Sequence, residues 1–170
     1  MFERRVLGVD PGTAAVGLAV IDGERRPVIL WAETLRTPSG LAQELRLRRL
    51  YTGIREAIRT HQPSVMALER LMWGRNTESA MGVARASGVA MLAAAEAGIP
   101  VEEYAPLEVK MAVTGVGNAA KETVRHSLSR LIGIVGVPQD PDAADAVAVA
   151  VCHLQQARMR RITRATESVR

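Results

Sequence analysis

Residues 6–22, VLGVDPGTAAVGLAVID, decide the fold of this chain, because two apolar runs in them are separated by a carboxylate and a turn signal. The first run is short and suited to a strand, Pro11-Gly12 is typical of a turn, and Val16 begins a second strand, so a buried β-hairpin is predicted. Asp10 then lies at the tip of the first strand. A carboxylate beside so much apolar surface needs a cation or hydrogen-bond donors, although aspartate also caps turns.

Length and composition predict one domain without a membrane span. The chain has 170 residues, of which 48% are hydrophobic, enough for one sizeable core. We predict a single domain over residues 1–157, followed by a basic, flexible tail over 158–170. No apolar run approaches the roughly 18 residues of a membrane span, and residues 1–20 lack the layout of a signal peptide, so a cytoplasmic protein is expected. Cys152 is the only cysteine, which excludes an internal disulfide, and we expect it to be buried.

Arginine supplies nearly all of the basic charge. The formal net charge is +4, and of the 22 basic residues only Lys110 and Lys121 are lysines. Guanidinium groups bind phosphate at two points, so this composition favours a phosphate-containing partner. A net charge of +4 also occurs in many proteins that bind no nucleic acid, so composition alone does not decide.

The order of the predicted elements indicates an α/β protein. Three strands come first, the third over residues 27–37, and helices then alternate with two short strands, residues 64–68 and 99–104. This order differs from the regular βα alternation of a dinucleotide-binding fold. It predicts a mixed five-stranded sheet with an antiparallel hairpin at its front and helices flanking it. The predicted helices begin near residues 41, 76, 106, 119 and 140.

The helix predicted at residues 76–97 is rich in alanine, glycine and serine, and Gly98 ends it. Small residues let a backbone approach another element closely. Periodicity alone supports two explanations equally: ordinary packing on the sheet, or contact with a second copy across a two-fold axis.

Four carboxylates are predicted to form one cluster. Glu69 ends a short apolar strand as Asp10 does, and Asp142 and Asp145, three residues apart, share one face of the last helix. Acidic residues in a first helical turn also stabilise the helix dipole, which explains Asp142 better than Asp145. Together the four suit two divalent ions, as in phosphodiester cleavage. His153 lies too far along the helix to join them, and the glycine loop at 115–118, before Lys121, suits phosphate oxygens.

These motifs resemble those of the RuvC-type Holliday-junction resolvases, within the retroviral-integrase and RNase H superfamily, over nearly the whole chain. The resemblance rests on Gly-Val-Asp10-Pro-Gly-Thr with Gly17, Ala-Leu-Glu69, Asn76 with Ser79-Ala80, Glu103-Tyr-Ala-Pro106 with Val109-Lys110, Gly115-Val-Gly-Asn-Ala-Ala-Lys121, and Asp142-Ala-Ala-Asp145-Ala.

The resemblance implies an RNase H-like nuclease domain and a homodimer that nicks opposed strands of a four-way junction symmetrically, leaving 5′-phosphate and 3′-hydroxyl ends. It assigns metal binding and catalysis, with two Mg²⁺ or Mn²⁺ ions, to the four carboxylates, and contacts with the DNA phosphates near the cleaved bond to Lys110 and Lys121, the latter as part of the catalytic site. It also implies a branch-migration helicase partner of the RuvA and RuvB type.

Two segments depart from the family pattern. The small-residue helix has Ala84-Arg-Ala-Ser-Gly88 where the family commonly has Gly-Gln-Ala-Arg-Gly. Met72 stands where the family usually has phenylalanine, and Trp73 follows it. We predict that Met72, Trp73 and Arg75 contact DNA and that Trp73 stacks on an unpaired base at the junction centre. Packing of Trp73 in the core is the alternative.

Two other functions compete with junction cleavage. Asp-Pro-Gly-Thr after a strand also resembles the phosphate loop of sugar kinases and chaperone-type ATPases, but that fold needs a second half with another glycine loop. A junction-binding protein without activity is the third possibility, and the complete set of carboxylates argues against it.

Overall fold

A computed structural model describes residues 5–12, 14–23, 26–72 and 77–167. Its strands form one mixed sheet in the order β3-β2-β1-β4-β5. The front three strands are antiparallel neighbours, whereas β1 pairs parallel with β4, and β4 with β5. The predicted mixed five-stranded sheet is therefore confirmed. The strand bounds are β1 Arg5–Pro11, β2 Ala15–Asp22, β3 Val28–Arg36, β4 Val65–Glu69 and β5 Val101–Tyr104.

Helices cover both faces of this sheet, as expected. Helix α1 is capped at its C-terminus by Gln62, whose left-handed φ of 48° ends the helix just before Pro63. Helix α3 is capped in the same way by Gly115, with a φ of 75°. The helix bounds are α1 Gln43–His61, α2 Thr77–Glu96, α3 Pro106–Thr114, α4 Lys121–Arg130 and α5 Pro141–Glu167.

Alternation along the strands divides the core into two layers. Leu7 and Val9 of β1 pack with α1 and α2 on one face, whereas Val6 packs with α3, α4 and α5 on the other. Successive side chains of a strand point to opposite faces, so Gly8 and Asp10 share the face of Val6. The carboxylate of Asp10 therefore lies on the α5 face.

Two glycines let α5 lie directly on the front hairpin. A Cβ atom at Gly8 would overlap the backbone carbonyl oxygen of Ala146, and one at Gly17 would overlap that of Asp142. Only glycine allows such an approach between a strand and a helix. The first turns of α5 are thereby held against the strands that carry Asp10.

The C-terminal segment differs from the prediction. A flexible tail is expected from residue 158, but α5 continues to Glu167. No glycine or proline interrupts the sequence there, and Arg160 Nη1 lies 3.9 Å from Glu102 Oε2 on β5, which ties the extension to the sheet. The helix therefore extends ten residues beyond the predicted domain boundary at residue 157. Cys152 is fully buried, as expected.

Candidate active site

Asp10 and Glu69 meet because they end neighbouring parallel strands. Val9 of β1 pairs with Leu68 of β4, so the next residue of each strand lies at the same edge of the sheet. Glu69 also has the strand parity of the buried Val65 and Ala67, which face α5. The two carboxylates therefore occupy one edge and one face.

The first turns of α5 bring Asp142 and Asp145 to this edge. Gly17, over which the helix backbone passes at Asp142, pairs directly with Asp10 in the hairpin. Asp142 and Asp145 are both partly buried, and the intervening Ala143 and Ala144 are small and buried against neighbouring elements. The α5 carboxylates thus come close to Asp10.

Asp140 fixes the start of α5. Its Oδ1 accepts hydrogen bonds from the backbone N–H groups of Asp142 and Ala143, at 3.1 and 3.3 Å. The hydroxyl of Thr34 and the guanidinium of Arg36, both on β3, donate to the same carboxylate. These two contacts, with the hydroxyl the stronger influence, lower the pKa of Asp140 to about 2. The sequence indicates only the cap, since Thr34 and Arg36 are 106 and 104 residues away.

The cluster is short of positive charge. Burial raises the pKa of Asp10 from 3.8 to about 7, and the negative charges of Glu69, Asp145 and Asp142 add to this effect. Burial likewise raises the pKa of Glu69, with Asp145 contributing. The other three carboxylates thus destabilise the ionised form of Asp10, and Asp145 that of Glu69, so a cation at this place would be favoured.

Two lysines supply some of the missing charge. The ammonium of Lys121, at the start of α4, donates to Asp145 Oδ2, and this contact raises the pKa of Lys121. The charge of Lys110, on α3, also lowers the pKa of Glu69, although less than Lys121 does. The only two lysines of the chain therefore both act on carboxylates of the cluster.

The residues suit a divalent ion, although the structure does not form a closed cage. Within the described ranges, no three acidic, histidine or cysteine side chains lie close enough together to hold a metal ion. Four like charges repel each other, and Lys121 already occupies an oxygen of Asp145. The donor set nevertheless consists of carboxylate oxygens, which Mg²⁺ and Mn²⁺ prefer, and the raised pKa of Asp10 indicates a site that a cation would stabilise.

Of the remaining predicted DNA contacts, Met72 lies within the described residues. Met72 follows the strand and is 61% exposed. Trp73 and Arg75 lie outside the described residues, so their predicted roles are untested. His153 is fully buried, eleven residues further along α5 than Asp142, and its Nδ1 shares a hydrogen bond of 2.8 Å with the hydroxyl of Tyr104.

Comparisons with known proteins agree with this geometry. The sequence model of the family "crossover junction endodeoxyribonuclease RuvC" matches residues 6–153. The protein of that name from Moorella thermoacetica is 46% identical over 151 residues, which cover 87% of this chain and 89% of the relative.

Solved structures show the same likeness. Thermus thermophilus RuvC in complex with a Holliday junction substrate has a TM-score of 0.85 and 34% identity, covering 92% of this chain and 96% of that one. The yeast mitochondrial Holliday junction resolvase Ydc2 shares the fold, with a TM-score of 0.71 and 14% identity over 99% of this chain and 87% of its own. The chain therefore belongs to the RuvC family of crossover junction endodeoxyribonucleases.

Proposed function

We propose that this endonuclease uses two divalent ions, Mg²⁺ or Mn²⁺, held by Asp10, Glu69, Asp142 and Asp145. The observation that carries the proposal is the meeting of carboxylates from β1, β4 and α5 at one edge, where burial and like charges raise the pKa of Asp10 to about 7. Lys121 offsets only part of this charge. Cation binding would remove the remaining repulsion.

The protein's own groups hold and orient the reactants. Asp10 and Glu69 are fixed by the sheet, whereas Asp142 and Asp145 depend on the placement of α5. Bound divalent ions would lower the pKa of a water molecule and stabilise the leaving oxygen of the phosphodiester. Lys121, whose side chain is 72% exposed, can exchange its contact with Asp145 for a DNA phosphate, and Lys110 contacts a phosphate beside it.

A homodimer explains paired incisions. The outer side of α2 carries an exposed stripe at residues 81, 85, 88, 92 and 95, with Met81 46% and Leu92 53% exposed. These positions recur every three or four residues, so they lie on one helix face, and a Cβ atom at Gly88 would meet nothing within 4 Å. Two copies joined there would present identical sites to a two-fold junction, so symmetric cuts follow. The 5′-phosphate and 3′-hydroxyl ends are part of the proposal that the family resemblance implies.

Other parts of the proposal extend the family assignment. Met72, Trp73 and Arg75 contact the unpaired bases at the junction centre, with Trp73 stacking on one of them. A branch-migration helicase of the RuvA and RuvB type delivers the junction in the cytoplasm. The proposed nuclease domain, residues 1–157, contains every site residue named here. Within the described ranges, no helix is long and apolar enough to cross a membrane.

One experiment tests the metal-dependent mechanism. The purified protein is incubated with four-way junction, duplex and single-stranded DNA, in EDTA and with added Mg²⁺ or Mn²⁺. We expect paired nicks in the junction only, and only with a divalent ion. Cleavage that persists in EDTA would contradict the metal proposal, and equal cleavage of duplex DNA would contradict junction specificity.

A further inference from the structure

A polar groove runs beside α4, outside the residues assigned so far. Its volume is about 420 Å³, and it lies between α4 and the loop of residues 134–139 that leads to α5. Arg125, His126 and Ser129 line it from the helix, and Gln139 lines it from the loop. Sites for small organic ligands are mostly apolar, so this lining suits a charged, hydrated ligand better.

The groove is continuous with the catalytic edge. A smaller depression, of about 60 Å³, shares Glu122 and Arg125 with it and also contains Lys121 and Asp145. Lys121, Arg125 and Ser129 are spaced by four residues, so they form one stripe along α4. Each step is about 6 Å at 1.5 Å per residue, or about two nucleotides of a B-form strand at 3.4 Å each. The stripe can therefore follow a strand away from the cluster.

Arg125 is held in place to meet a phosphate. It is partly buried, and its Nη1 donates to the backbone carbonyl of Gln139 at 3.3 Å. A guanidinium carries five N–H donors, so this bond leaves others for phosphate oxygens. Glu122, at the catalytic end of the groove, is acidic and stabilises the first turn of α4. The phosphate position therefore belongs at the Arg125 and Ser129 end.

We propose that this groove binds the phosphate backbone of the DNA strand next to the cleaved bond, with Arg125 as its main contact and Ser129 and His126 beside it. This inference rests on the proposed function, since the strand reaches the groove from the carboxylate cluster. The groove extends the phosphate contacts of Lys110 and Lys121 along one strand. It thereby helps to hold the scissile phosphate in register.

Junction affinity at several salt concentrations, measured in EDTA, tests the groove. We expect R125Q to weaken binding about fivefold and to lower the slope of log K against log salt by about 0.9, because one phosphate contact is lost. R125K should retain most of the affinity. R130Q is the matched control, because Arg130 is exposed on the same helix and does not line the groove; it should behave like the wild type.

Methylphosphonate junctions locate the contact. Neutral linkages are placed one at a time on either side of the cleaved bond. At one position the neutral linkage should weaken junction binding by the wild type, but it should not weaken binding by R125Q any further. Equal salt slopes for R125Q, R130Q and wild type, with unchanged melting temperatures, would overturn the proposal. Equal losses of junction affinity in R125Q and R130Q would also overturn the proposal. Because wild-type cleavage is measured separately, failure of the groove is distinguishable from failure of the metal-dependent mechanism.

Discussion

The stability of the fold and the proposed activity favour different protonation states of Asp10. Its folded-state pKa of about 7 exceeds the ordinary 3.8, so the folded protein favours the protonated group. The stabilisation by that proton is complete below about pH 4 and is lost as the pH rises through about 7. A site that must be ionised to bind a cation is thus a source of instability in metal-free protein.

The variant D10N tests this balance. In EDTA it should be more stable than the wild type by about 1 to 3 kcal/mol at pH 8 and nearly equal at pH 4, because it has no charge to bury. Cleavage should be abolished while junction binding persists. Denaturant unfolding from pH 4 to 8 measures the difference, and a difference that does not change with pH would contradict the role of Asp10 burial.

Lys121 should act on DNA binding as well as on cleavage. K121A removes a cation that lies between Asp145 and the proposed phosphate path, so junction affinity and cleavage should both fall and the salt slope should become shallower by about 0.9. E69Q and D145N are the comparison, because loss of a ligand charge should abolish cleavage and leave affinity largely intact. Unchanged affinity of K121A at low salt would argue against a phosphate contact.

At the scale of elements, the placement of α5 controls the site. G17A adds a methyl group where the strand meets the carbonyl of Asp142, so α5 must move away from Asp10. We expect a loss of about 1 to 3 kcal/mol in the free energy of unfolding and a much larger relative loss of cleavage. G40A is the control, since a Cβ there meets nothing within 4 Å. Wild-type cleavage by G17A would show that this close approach is unnecessary.

Asp140 joins the same helix to β3. D140A removes the cap and the contacts with Thr34 and Arg36, and should lower the free energy of unfolding by about 1 kcal/mol. D140S restores a capping oxygen but no charge, so it should recover much of the stability while requiring more Mg²⁺ for half-maximal cleavage than the wild type. Calorimetry and metal titration separate the two effects. If D140S titrates like the wild type, the ties to β3 do not position the carboxylates.

At the scale of the whole molecule, symmetry is expected to come from α2. L92R places a charge in the exposed stripe and should convert a dimer to a monomer and abolish paired incision, because each site would then act alone. Leu131 is also exposed, at 72%, but lies after α4, so L131R is the control. Sedimentation measures the mass, and a supercoiled cruciform plasmid distinguishes single from paired cuts. Paired cuts by a monomeric L92R would show that a dimer through α2 is not the source of paired incision.

The elements and most site residues were predictable from local patterns. Turn residues and short apolar runs located the hairpin, and the ends of two such runs identified Asp10 and Glu69 as candidates. The structure added that both lie on the α5 face. The family assignment also removed the ATPase and inactive-binder alternatives. The end of α5 at Glu167 was not predicted, because the run of buried apolar residues in this helix ends at Leu154.

The sequence by itself determined the sheet, its helices and the carboxylates that end β1 and β4, because these depend on residues close together in the chain. Only the tertiary structure decided that Lys121 binds Asp145, that Thr34 and Arg36 bind Asp140, and that Gly17 lies under Asp142. Such contacts join segments far apart in sequence, and their geometry depends on how α4 and α5 pack on the sheet. Local periodicity contains no record of that packing.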